Sequence, residues 1–151
     1  MPIISIQDDD FGQLVWDSEL HEWVGRAIFV DGVVVELRIE TPAVREGDRF
    51  ADEESGKTIT GESRVGFARL REIEPAVRAR AAEDWAGHYA EWNDGTITPA
   101  GFHERLRLNA VRVLPDGRAE VYYEDGGMFN GNALIAHLGH DGAVKRVEMS
   151  G

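Results

Sequence analysis

Asp-Gly occurs five times in this chain, at Asp31-Gly32, Asp94-Gly95, Asp116-Gly117, Asp125-Gly126 and Asp141-Gly142. The pair favours turns in which the backbone takes a positive φ, and between apolar runs it marks a β-hairpin. Four of the five lie between strand-like runs, so hairpins dominate the predicted fold. The fifth, Asp94-Gly95, follows a helical pattern and predicts its C-terminal stop.

The runs themselves are legible. Leu14-Val15-Trp16 is short and apolar, and the segments 23–30 and 33–39 flank Asp31-Gly32. In the second segment Val33, Val35, Leu37 and Ile39 fall on one face and Val34, Glu36, Arg38 and Glu40 on the other, the period of a half-buried strand. These predict an N-terminal three-stranded antiparallel meander. Residues 41–63 are polar and glycine-bearing, and read as a loop with at most one helical turn. A helical region opens near Ser63; Pro75 interrupts it and fits the first turn of a second helix. Val77, Ala81, Trp85, His88/Tyr89 and Trp92 then recur at helical spacing. Thr98-Pro99 predicts an N-cap followed by proline at the first helical position, with Phe102 and Leu106 as an apolar stripe. The last third returns to four strands, at 109–114, 118–124, 133–138 and 143–149. Strands at both ends with two or three helices between them predict one α+β domain over residues 1–151, its antiparallel sheet covered on one face.

Composition narrows the chemistry. With no cysteine there is no disulfide, no zinc–thiolate site and no thiol nucleophile. No apolar run approaches the about 20 residues that span a bilayer, and the N-terminus lacks a signal-type pattern because Asp8-Asp9-Asp10 arrives at once. These features predict a cytoplasmic protein. The formal net charge is −12, with 17 acidic and 8 basic side chains in residues 1–75 against 11 and 8 in residues 76–151. Such a surface repels nucleic acid and anionic membranes and attracts a basic protein partner.

No catalytic signature stands out. Gly56-Lys57-Thr58 resembles the end of a phosphate loop, but Ala51 occupies the required glycine position and acids precede it. His137 and His140, with Asp141, suggest a metal pair, yet on a strand the two imidazoles point to opposite faces; no metal or cofactor is expected. Asp8-Asp9-Asp10 reads as a solvated segment, His88 as a partly buried packing residue, and His21 and His103 as surface residues. Trp16 and Trp23 lie in early strands among acids, which suits a protein interface. Around Phe129-Asn130-Gly131-Asn132, the side chains of Asn130, Asn132 and His137 with Tyr122 or Tyr123 form the alternative, a small-ligand or enzymatic site.

Three motifs together carry a resemblance. They are Phe11-Gly12-x-Leu14-x-Trp16-Asp17, Ile97-Thr98-Pro99-x-x-Phe102-x-x-x-Leu106, and the ending Glu124-Asp125-Gly126, Phe129-Asn130-Gly131, Asp141-Gly142. The chain resembles the bacterial domain-of-unknown-function family two-two-six-two and its relatives. The family pattern has His where this chain has Asn132, which argues against catalysis at that spot and for a structural turn. The resemblance implies no activity; size and acidity are similar to those of bacterial immunity proteins. The leading expectation is a non-enzymatic acidic protein-binding module, with an immunity-type role as its specific form.

Overall fold

The computed structural model describes residues 3–29, 32–42, 57–88, 97–124 and 133–149. Eight strands form one sheet whose spatial order is the chain order: β1 (Ser5–Asp8), β2 (Gly12–Asp17), β3 (Glu22–Ile28), β4 (Val34–Glu40), β5 (Arg107–Val113), β6 (Ala119–Glu124), β7 (Ala133–Leu138) and β8 (Val144–Met149). Every neighbouring pair is antiparallel except β4–β5, which runs parallel from Glu36↔Ala110 to Ile39↔Val113. A parallel pair needs a long crossover. The chain between these two strands supplies it, with helices α1 (Gly61–Ala86) and α2 (Pro99–Arg105) among its described residues.

The glycines of three of the Asp-Gly pairs close the same kind of hairpin, Asp31 itself lying outside the described residues. Phe29, Leu114 and Gly139 each donate their N–H to the carbonyl four residues on, and Gly32, Gly117 and Gly142 donate back across the loop. Those three glycines have φ of 74°, 90° and 82°, the left-handed backbone that closes a three-residue loop with a bulge. Asp116 and Asp141 brace their turns by accepting the N–H of Arg118 and Ala143 at 3.0 Å each. Asp94-Gly95 and Asp125-Gly126 lie outside the described residues, as do Tyr89, Trp92 and Phe129 to Asn132.

The covered face is in register across the sheet. Trp23, Ile39, Val113, Ala119 and Leu138 are successive partners, all buried. The buried stripe of α1 packs onto it, running Gly66, Phe67, Leu70, Glu74, Val77, Ala81, Ala82 and Ala86. The N-terminus of α1 is fastened to the β5–β6 hairpin. Thr60 accepts the Ser63 N–H and donates to the Pro115 carbonyl at 2.6 Å, while the Ser63 hydroxyl donates to the Leu114 carbonyl at 2.8 Å. Gly66 is required at this crossing, since a Cβ there would lie 2.5 Å from the Gly117 carbonyl oxygen.

The α+β class and the four C-terminal strands match the sequence reading, and Thr98 and Pro99 cap α2 as predicted. Three details are corrected. The N-terminal meander has four strands, because β1 pairs with β2 along an exposed edge that carries no buried stripe. The sheet is mixed rather than wholly antiparallel. Pro75 sits inside one helix instead of opening a second; the side chain is exposed, and the carbonyl that loses its helical partner belongs to exposed Arg71. Asp8 is no loose tail either: it caps the β1–β2 turn through the N–H of Asp10 and Phe11, and Arg64 grips it at 2.8 and 2.9 Å. That grip holds the Asp8 carboxyl below the usual range and pushes Arg64 up. Among the described residues no helix is long and apolar enough to cross a membrane.

Candidate functional site

Both described helices lie over one face of the sheet, and the other face is bare of them. On that bare face the register lines up Val15, Val24, Arg38, Arg112, Glu120, His137 and Arg146, one from each of β2 to β8. Side chains from the flanking rows complete a ribbon of alternating charge. Arg38 Nη1 lies 3.5 Å from Asp17 and 2.6 Å from Glu22 Oε1. Arg112 meets Glu22 through Nε at 3.3 Å and approaches Glu120 at 3.7 Å. His137 lies 3.7 Å from Glu120 and 2.8 Å from Glu148, and Arg146 reaches Glu148 at 3.9 Å.

The ribbon is rigid at its centre. Glu22 is 2% exposed although it stands on the uncovered face. The two guanidinium groups cover it, and its hydrogen bond pushes the Arg38 pKa up. Nε of Arg112 is buried with no well-aligned hydrogen bond, despite its proximity to Glu22. The hydrogen bond of this pair runs instead from Arg112 Nη2 to Glu22 Oε1 at 3.4 Å, long for a fork-on-carboxylate pair.

Two kinds of surface flank the ribbon. Toward β2–β4, Val15, Ile28 and Val34 are 39%, 59% and 55% exposed. Val15 and Val34 line a shallow hollow of about 650 Å³ with Val24, Arg26, Glu36 and Asn109. Beside it a smaller hollow of about 280 Å³ is lined by Arg38, Asn109, Arg112 and Tyr122. Burial pushes the Tyr122 phenol up, with the charge of Glu120 adding to it.

The sequence-predicted site residues separate. Tyr122 and His137 share the bare face, but line different hollows. Asn130 and Asn132 lie outside the described residues. Trp16 and Trp23 stand on the covered face, not on an exposed patch. Trp23 is 3% exposed and donates its indole N–H to the Lys57 carbonyl. Trp16 is half-buried, edge-on to Trp23 at 5.2 Å, with the Lys57 ammonium over its ring. Acidic neighbours in sequence misled here: Asp17 and Glu22 alternate with the tryptophans and so point to the opposite face. His137 is taken by two glutamates, His140 is exposed in a turn, and His88 is exposed with its ring against Trp85 at 4.7 Å. Among the described residues no group of three or more His, Asp or Glu is arranged to hold a metal ion.

Sequence reasoning missed Glu22, Arg38, Arg112 and Glu120. The polar half of the β4 alternation pointed to Arg38, but the ribbon pairs residues up to 90 positions apart, and only the register brings them together.

The family model described as "Uncharacterized protein conserved in bacteria (DUF2262)" matches residues 8–149, from the last residue of β1 to the last of β8. Comparisons with curated proteins and with solved structures return no match.

Proposed function

This chain belongs to the bacterial DUF2262 family, and from that premise we propose that it is an acidic, non-enzymatic protein-binding module whose docking surface is the bare face of the sheet. The observation that carries the reading is the make-up of that face. A patch of exposed Val15, Ile28 and Val34 adjoins a fixed ribbon of charge, the layout of an interface with an apolar centre and a polar rim. Charges already held in place lose little entropy on docking. The partner is a basic protein, because a chain of net charge −12 attracts and steers one. An immunity-type role against a basic toxin in the bacterial cytoplasm is the specific form of the proposal.

The test mixes the protein with the basic proteins encoded beside its gene. A complex is expected that weakens at least tenfold as salt rises from about 50 to 300 mM, because screening cuts surface attraction. Val34→Asp, on an exposed position, is expected to keep the fold by circular dichroism and lose the complex. A complex indifferent to salt, one indifferent to Val34→Asp, or none with any basic neighbour overturns the proposal.

A further inference from the structure

The protein is strongly acidic, yet one end of the bare face gathers cations. A cleft of about 420 Å³ opens between the β5–β6 and β7–β8 hairpins. Arg118 forms one wall, Lys145 and Arg146 of β8 the other, and His137 and Glu120 line it between them. Glu120 is the one carboxylate among the described lining residues. The three cations are 53%, 59% and 66% exposed at their side chains, so a solute reaches them.

Their existing partners leave them capacity. Arg118 meets Asp116 through Nε at 2.6 Å. Lys145 is 3.5 Å from Asp141, and Arg146 is 3.9 Å from Glu148. A guanidinium offers five donors and an ammonium three, more than these contacts use. Gly139 adds a positioning feature. A Cβ there would lie 2.5 Å from Lys145 Cε, so the lysine stem lies across bare backbone with its ammonium at the cleft. Half-buried Leu114 supplies an apolar wall.

We propose that this cleft binds a small phosphomonoester, its phosphate held by Arg118, Lys145 and Arg146 and its body against Leu114. Donors converging from opposite walls suit the three terminal oxygens of a phosphate better than the two of a carboxylate. The volume exceeds what free phosphate needs and lies within the range of small-ligand sites. The site does not depend on a protein partner, so it stands or falls separately from the docking face.

The experiment follows backbone amide NMR signals of the full chain on addition of inorganic phosphate, AMP and adenosine in low salt. Shifts centred on Ala119, Leu138 and Gly139 are expected with phosphate and AMP, saturating at lower AMP than phosphate, and absent with adenosine. Arg146→Glu and Lys145→Glu, both on an exposed edge strand, are expected to keep the spectrum's dispersion and weaken AMP binding at least tenfold. Gly139→Ala, which keeps every charge but displaces Lys145, is expected to weaken it several-fold. Scattered shifts, adenosine binding as tightly as AMP, AMP binding no tighter than phosphate, or indifference to Arg146→Glu overturns the proposal.

Discussion

Glu22 and Glu74 are both 2% exposed, and they are buried by different means. Glu74 lies in the helix–sheet interface. Its Oε1 accepts the phenol of fully buried Tyr123 at 3.1 Å and Arg78 at 2.8 and 3.0 Å. The fold itself removes it from water. Glu22 stands on the bare face, where among the described residues the guanidinium groups of Arg38 and Arg112 cover it, their side chains 25% and 32% exposed. The first carboxylate is committed to the core; the second is shielded by side chains of the surface.

The largest expected effect is therefore at Glu74. Glu74→Ala leaves Arg78 and Tyr123 without their common partner, and breaking such a buried pair costs about 3 kcal/mol. Urea or thermal unfolding checks it, with a fall in Tm of about 10 °C for a chain this size. Replacing Glu74, Arg78 and Tyr123 together by Leu, Met and Phe is expected to restore most of that stability, because an apolar trio of similar volume suits the interface. Glu22→Ala is expected to cost only about 1 kcal/mol, since Arg38 and Arg112 keep water, Asp17, Glu36 and Glu120 as partners. If the two alanine variants cost the same, the bare face is as dry as the covered one and the contrast fails.

The pattern of legibility follows the same division. What the covered face needs is written locally: alternation from Val33 to Ile39, Thr98-Pro99 at a helix start, Asp-Gly at the β3–β4, β5–β6 and β7–β8 hairpins. Where that reading failed, the covering element was judged by one residue. The stripe Phe67, Leu70, Glu74, Val77, Ala81 continues through Pro75 at three- and four-residue spacing, and the continuity outweighs the missing N–H. Strand β1 escaped because it is four residues long and buries no stripe, too short for its alternation to stand out. The bare face was barely legible at all. Glu22, Arg38, Arg112 and Glu120 look like scattered surface charges, and their pairing depends on strand register and on the parallel β4–β5 junction, both set by long-range contacts.

A smaller effect appears at alkaline pH. Burial first, and then the charge of Glu74, raises the Tyr123 pKa in the folded protein above its ordinary 10.0. The unfolded chain then ionises first. Stability from this group is fully present below about pH 10 and is lost as pH rises toward the folded value. Tyr123→Phe is expected to be less stable at neutral pH, having lost its hydrogen bond, but to show a flatter decline above pH 10 in urea titrations. An unchanged slope would mean that the covered face admits water at Tyr123.

The smallest expected effect is its counterpart on the bare face. The hydrogen bond from His137 lowers the Glu148 pKa, and Arg146 adds to the shift. A depressed carboxyl contributes stability above its ordinary range, and that contribution is lost as pH falls through the folded value. The carboxylate is 44% exposed, so water and salt screen the interaction. Glu148→Gln is expected to make the acid-side decline of stability slightly shallower in low salt, and to be indistinguishable from the parent in high salt. The same pair fastens edge strand β8 to β7, so amide exchange in Val147 and Met149 is expected to quicken in the variant while α1 is unaffected. Quicker exchange in α1 as well would mean that the two faces share one cooperative network, and the division between a committed core and a paired surface would have to be redrawn.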